Sequence, residues 1–153
     1  MSLPTLLAKH LRDVHTGGNW TVSNLKDNLD GVTWQQATTK VQSFNTIAVL
    51  VFHINYFISA TLKVLQGEPL DAHDKYSFDL PEIKSEEDWQ QLLARTFTEA
   101  ETFATLIEQL PEAKLWEDFT DAKYGTYYRN IQGIIEHTHY HLGQIFILKK
   151  MVE

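Results

Sequence analysis

Residues 43–66 contain neither glycine nor proline, and as a helix they would be apolar on most of their circumference. The β-branched residues Ile47, Val49 and Ile54 leave a pair of buried strands as the alternative. The uninterrupted length of more than about 20 residues favours a helix, which we expect from Ser43 to Gln66. A helix that is hydrophobic nearly all round lies at the centre of a protein or against a partner subunit. The segment therefore predicts a helical bundle built around it.

Three further segments show the spacing of apolar side chains that is typical of helices. The first is predicted from about Leu3 to His15. The third begins after Ser85, whose hydroxyl suits an N-cap, and ends before Pro111. The last is predicted from about Thr126 to Met151. The chain is therefore expected to be all-α, with a four-helix bundle as its architecture.

Two long connections separate the first three predicted helices. Residues 20–40 are expected to contain short helical turns at Leu25–Leu29 and Trp34–Thr38. Residues 67–84 include Pro69 and Pro81 and, when extended, are long enough to cross the whole bundle. The second and third helices could therefore run in the same direction, which is a crossover topology.

The bulk composition limits the classes of function. The 153 residues are 43% hydrophobic, so we expect residues 1–153 to form one domain with one core. The chain has no cysteine, so any metal must be held by imidazole or oxygen ligands. A net charge of −7 without a cluster of basic residues argues against a nucleic-acid partner. No membrane span and no signal peptide are predicted, so we expect a cytoplasmic protein.

Three of the seven histidines are predicted to point into the core. His137 and His141 are four residues apart, so they lie on one face of the last helix, together with apolar side chains. His139 is about 200° away from His137 around that helix and cannot share their site. His53 lies near the middle of the second helix, on its apolar side. Antiparallel packing of the two helices would bring His53, His137 and His141 to one level.

Three converging imidazoles point to a divalent metal ion. A buried imidazole needs a partner for each ring nitrogen, and three protonated rings would repel one another. A cation bonded to three neutral nitrogens removes both costs. Three protein ligands leave positions open for water, which the metal can acidify into a nucleophile. The alternative is that the histidines are satisfied by hydrogen bonds within a structural core.

Other polar residues have weaker assignments. His10 borders the apolar face of the first helix and is an alternative fourth ligand. His15 and His73 are expected to be solvated at the surface. Gln144 and Asn130 lie near the histidine pair and could orient a bound water or form hydrogen bonds within the core.

The string from Gly133 to Ile145, with His137, His141 and Gln144, resembles the HxxxH-x-GQ signature in the last helix of DinB-like metalloenzymes. The segment around His53 resembles the place where that family supplies its first histidine. The resemblance implies an up-down-down-up four-helix bundle with His53, His137 and His141 as ligands to nickel or zinc. It also implies a homodimer, and in some relatives the transfer or isomerisation of small molecules with a low-molecular-weight thiol such as bacillithiol, mycothiol or glutathione.

One residue departs from the family pattern. Leu142 stands where many relatives carry arginine, and loss of a cation that binds an anionic thiol would argue against the transferase function. Lys123 and Arg129 are the other candidate cations. For the homodimer, the candidate contacts are the apolar second helix and three residues of the last helix: Tyr128, Ile135 and Phe146.

Three functions stay open at this point. The first is a metal-dependent transferase acting on a small-molecule substrate with a low-molecular-weight thiol. The second is a metal-dependent hydrolase, although no carboxylate shares a face with the histidines and Glu136 points about 100° away from His137. The third is a non-enzymatic metal-binding bundle, for which we expect a closed, four-coordinate site.

Overall fold

The computed structural model describes residues 1–153, which form six α-helices and no strand. Four of the helices are long and two are short. The helices are α1 (Leu3–Thr16), α2 (Leu25–Leu29), α3 (Trp34–Ala37), α4 (Ile47–Leu65), α5 (Glu86–Glu108) and α6 (Tyr127–Val152). Short 3₁₀ turns lie at Asp74–Tyr76, Glu112–Trp116 and Ala122–Tyr124. The prediction of an all-α chain is confirmed.

Side-chain caps set where the helices begin. The Ser85 hydroxyl accepts the backbone N–H of Asp88 at 3.1 Å, so α5 starts where the sequence predicts. α4 starts later than Ser43, because the Thr46 hydroxyl accepts the N–H of Val49 at 3.2 Å and the Thr46 backbone is extended. Such a cap contributes about 1 kcal/mol to the stability of the helix. It therefore sets the start of α4 at Ile47, although the sequence pattern predicts an earlier start.

The core lies between the four long helices. α4 contacts both α5 and α6, and α1 contacts the same two helices. The buried face of α1 supplies Leu7, Ala8, Leu11 and Val14. Many of the α4 side chains are buried, as expected for a helix that is apolar nearly all round: Ile47, Ala48, Leu50, Val51, Ile54, Ile58, Ala60 and Leu62.

Both long connections are fastened to the long helices. The buried Trp89 indole donates to the Val32 carbonyl at 2.9 Å, and Lys149 donates to the Asp30 carbonyl at 3.0 Å. The connection between α4 and α5 lies against α4, where the backbone N–H of His73 donates to the Tyr56 hydroxyl at 2.8 Å. The connection thus lies alongside the middle of α4, where His53 is located.

α4 is long and apolar enough to cross a membrane by length and composition, with a mean hydropathy of 1.6. Most of the helix is buried inside the chain, however. A buried core helix passes the same test, so its hydropathy is accounted for by packing against α5 and α6.

The residues suggested for a homodimer contact differ in exposure. Ile135 is buried inside the chain, and the Tyr128 ring packs against Trp116. Phe146 is exposed on the second half of α6, together with Ile147 and Met151.

The expectation that His15 is solvated is wrong. Its side chain is only 1% exposed, at the end of α1 against the Phe97 ring. Nδ1 donates to the Leu11 carbonyl at 2.8 Å, and Nε2 has no protein partner. Burial lowers the pKa of His15 to about 4, so the ring is neutral in the folded chain at pH 7. The neighbouring glycines predict the end of a helix, but they carry no information about which side the last turn presents to the core.

The buried His15 should make the protein less stable in mild acid. Below a pH of about 6.5, His15 binds a proton in the unfolded chain. In the folded chain it stays neutral until the pH falls to about 4. The free energy of unfolding should therefore fall as the pH drops through this window. Between pH 7 and pH 5, wild type should lose about 2 kcal/mol more than His15→Met. Urea unfolding with EDTA present measures this difference without a contribution from metal, and equal losses in the two proteins would contradict it.

Candidate metal centre

The three predicted histidines meet between α4 and α6. Nε2 of His137 lies 3.0 Å from Nε2 of His53 and 3.1 Å from Nε2 of His141. Ring nitrogens of all three residues lie within 4.8 Å of one another. His137 and His141 are one turn apart on α6, and His53 reaches them from the middle of α4. The structure therefore brings together the residues that the helical spacing singles out.

The connection between α4 and α5 fixes the orientation of His53. Nδ1 of His53 lies 3.2 Å from the backbone carbonyl of Ser77. A carbonyl oxygen only accepts, so Nδ1 carries the proton and Nε2 presents its lone pair to the other two histidines. The Phe78 ring stacks on the imidazole, with 3.9 Å between the ring centroids. The hydrogen bond selects one tautomer of His53, and the stacked Phe78 ring fixes the plane of its imidazole.

Gln144 has the same effect on His141. Its side-chain oxygen accepts a hydrogen bond from Nδ1 of His141 at 2.6 Å. Nε2 of His141 is therefore also unprotonated and faces His137. Metal-binding histidines in proteins are usually oriented by such a second partner on the other ring nitrogen.

The cluster is not satisfied by hydrogen bonds alone. Nε2 of His53 and Nε2 of His141 both present lone pairs to the single Nε2 atom of His137. One proton on that atom can serve only one of them, so at least one buried lone pair stays without a donor.

Protonation of the histidine rings does not supply the missing hydrogen-bond donor at pH 7. Burial, followed by the neighbouring His141 and His53, lowers the pKa of His137 to about 4. The pKa of His53 is lowered as well, by burial first and then by His141. Both rings are therefore neutral at pH 7. Imidazole nitrogens that converge in this way fit a divalent ion such as Zn²⁺ or Ni²⁺.

A cavity of about 860 Å³ opens beside the cluster and is lined by His53 and His137. Phe57 and Tyr128 supply part of its apolar wall, and Arg129 is its only lysine or arginine. This volume is within the range of small-molecule sites. A substrate in the cavity would lie directly against two of the three histidines.

Two carboxylates also line this cavity, Asp74 and Glu136. Asp74 lies in a 3₁₀ turn of the connection, and its charge acts to raise the pKa of His53 against the larger effect of burial. The prediction from sequence concerned only the two helix faces that carry the histidines, and Asp74 reaches the cavity from a connection outside those helices. Helical periodicity could not place Asp74, because it belongs to a non-periodic connection.

The structure separates the remaining predicted residues from the cluster. His10 is not part of it and lines a different cavity with His139. Burial, with the charge of His10 second, lowers the pKa of His139. His73 is exposed and pairs with Asp71, as expected for a surface residue. Lys123 stacks over the Tyr124 ring.

Asn130 lines the large cavity, but its amide already donates to two carbonyls, those of Tyr124 and Thr126. It therefore fastens the start of α6 to the preceding loop. Ser77 and Phe78 are the contacts of His53 that sequence analysis missed. No periodic pattern marks them, since they act through a backbone carbonyl and a loop side chain.

Leu142 is 3% exposed and belongs to the hydrophobic core. It does not line the large cavity, whereas Arg129 does. Position 142 therefore contributes no cation to this cavity, whereas Arg129 near the start of α6 does.

The family model described as the DinB superfamily matches residues 10–145, which is most of the chain and includes all three clustered histidines. No curated protein and no solved structure matches the chain. The chain belongs to the DinB superfamily.

Proposed function

We propose that His53, His137 and His141 hold one divalent ion, nickel or zinc, and that the chain is a metal-dependent enzyme. The observation that carries this proposal is the convergence of the Nε2 atoms. Ser77 and Gln144 fix two of the three rings with their lone pairs toward a common point. A hydrogen-bonded structural core would need a donor for each ring nitrogen that accepts, and the three imidazoles arranged in this way do not provide enough donors.

We propose that the reaction is transfer of a low-molecular-weight thiol to an electrophilic small molecule. The cavity of about 860 Å³ is large enough for a thiol of tripeptide size beside an apolar electrophile. Arg129 lines the cavity and supplies a cation for a carboxylate of the thiol cofactor, and the aromatic wall suits the electrophile. A divalent ion held by the three nitrogens supplies Lewis acidity that lowers the pKa of a thiol.

The residues around the cavity have separate roles in such a reaction. Arg129 orients the thiol through its carboxylate, and Asp74 accepts the thiol proton. The sulfur then forms a bond to the electrophilic carbon, while the bond from that carbon to its leaving group breaks and the leaving group takes the electron pair. Phe57, which packs against His53 and lines the cavity, limits the access of water to the reacting atoms.

Hydrolysis is the second candidate, favoured by the two carboxylates in the cavity. Asp74 or Glu136 could act as a general base toward water in the same place. A purely structural metal site fits less well, because structural sites are closed by four protein ligands. Here only three histidines converge, and two of them border an open cavity.

We also propose the up-down-down-up order of the four long helices. Val32 contacts Trp89 near the start of α5, and Asp30 contacts Lys149 near the end of α6, which supports opposite directions for these two helices. Phe44, which precedes α4, lines a groove with Met151 at the end of α6. That contact supports antiparallel packing of α4 and α6, and hence parallel α4 and α5.

The metal assignment predicts the metal content of variants. Wild type purified without an affinity tag should retain about one equivalent of nickel or zinc through desalting. His53→Ala should lose it, because two histidines on one helix turn bind far more weakly than three. Mass spectrometry of the metal content measures both.

His73→Ala is the matched control, since it removes an exposed histidine outside the cluster, and it should retain the metal. Wild type that stays metal-free after incubation with nickel and with zinc would contradict the metalloenzyme proposal.

The transferase assignment predicts a role for Arg129 in binding. In the metal-loaded protein, Arg129→Met should raise KM for a carboxylate-bearing thiol about tenfold and change kcat little, because the carboxylate is bound equally in the ground and transition states. Transfer of glutathione or bacillithiol to a fluorogenic electrophile provides the assay. Lys123→Met, which removes a neighbouring cation, should leave both constants unchanged. Metal-loaded wild type that transfers no thiol but cleaves ester or amide substrates would favour the hydrolase.

A further inference from the structure

A second group of metal-binding side chains lies between α1 and α6, away from the three clustered histidines. His10 and Asp13 are three residues apart and share one face of α1. Glu136 and His139 have the same spacing on α6. All four residues line one cavity of about 480 Å³, and the two helices that carry them are in contact.

The two histidines of this group are separate from the three-histidine cluster. His139 points to the opposite side of α6 from His137, and neither His10 nor His139 lines the large cavity. Nothing in the proposed reaction uses them. The Glu-x-x-His spacing on α6 is the arrangement with which helical bundles present a carboxylate and an imidazole to one ion.

We propose that His10, His139 and Glu136 bind a second divalent cation, of the zinc, nickel or copper class. Two imidazoles and one carboxylate match the ligand preference of these ions and exclude calcium and magnesium, which take oxygen ligands. Asp13 forms an ion pair with Lys9 in the same cavity. That pairing neutralises the ammonium group, which would otherwise repel a cation, and leaves the other three side chains available.

The second site should be weaker than the first. The donor atoms of this group do not all lie within 4.8 Å of one another as those of the main cluster do. His10 and Glu136 are exposed, so their side chains can rotate toward an ion but must be ordered when it binds. Ordering two such side chains makes the affinity about tenfold or more lower than that of a preorganised site.

The position of Glu136 connects the second site to the first. Glu136 and Gln132 line both the 480 Å³ cavity and the 860 Å³ cavity. A cation bound by His10, His139 and Glu136 would therefore neutralise a carboxylate that also faces the substrate cavity.

Calorimetric titration of the full, metal-stripped chain with Zn²⁺ tests this assignment. Wild type should show two phases, a tight one and one about tenfold or more weaker. His10→Ala and His139→Ala should each remove the weak phase and keep the tight one, whereas His53→Ala should remove the tight phase and keep the weak one. His73→Ala is the matched control and should keep both. His10 is exposed, so its replacement should not impair folding.

Two results would overturn the second site. One is a single binding phase in wild type that depends on His53. The other is a weak phase that survives unchanged in both His10→Ala and His139→Ala. Wild type that shows the weak phase but no tight phase would instead overturn the three-histidine assignment, so the two proposals fail separately.

Discussion

The arrangement of α4 and α6 is constrained by the pairing of imidazole nitrogens in a buried site. His53 and His141 are 6% and 8% exposed, and each ring uses Nδ1 for a hydrogen bond to an oxygen. Their Nε2 atoms therefore both act as acceptors and both face the Nε2 atom of His137. That atom can donate at most one proton, so one acceptor stays without a donor. A divalent ion satisfies such a group of lone pairs without adding the repulsion that protonation would bring. The chemistry proposed for the protein depends on this arrangement.

The connection between α4 and α5 contributes more to this site than its irregular structure suggests. It supplies the Ser77 carbonyl and the Phe78 ring to His53, and it brings Asp74 to the cavity. Ser77 is itself buried, and its hydroxyl donates to the Asp74 carbonyl at 2.7 Å. The segment is therefore fastened at the level of the three histidines, so the orientation of His53 depends on a part of the chain that lies far from His137 in sequence.

The residues that sequence analysis located correctly are those on periodic helices. His53, His137 and His141 follow from the 3.6-residue repeat, and Ser85 follows from capping chemistry. The residues that it missed or misplaced depend on tertiary contacts. His15 is buried because the last turn of α1 packs against Phe97, and Asp74 reaches the cavity through a connection without periodicity. Periodicity reports the faces of helices, whereas loops are positioned by the contacts that they make after the helices have packed.

The most direct test of the central claim is a crystal structure of the zinc- or nickel-loaded protein with anomalous diffraction measured at the metal edge. We expect one strong peak between α4 and α6, bonded to Nε2 of His53, His137 and His141 at about 2.0–2.1 Å. The Nδ1 contacts with Ser77 and Gln144 should be unchanged. A strong peak elsewhere with none between the three histidines, or bonds through Nδ1 in place of Nε2, would contradict the account.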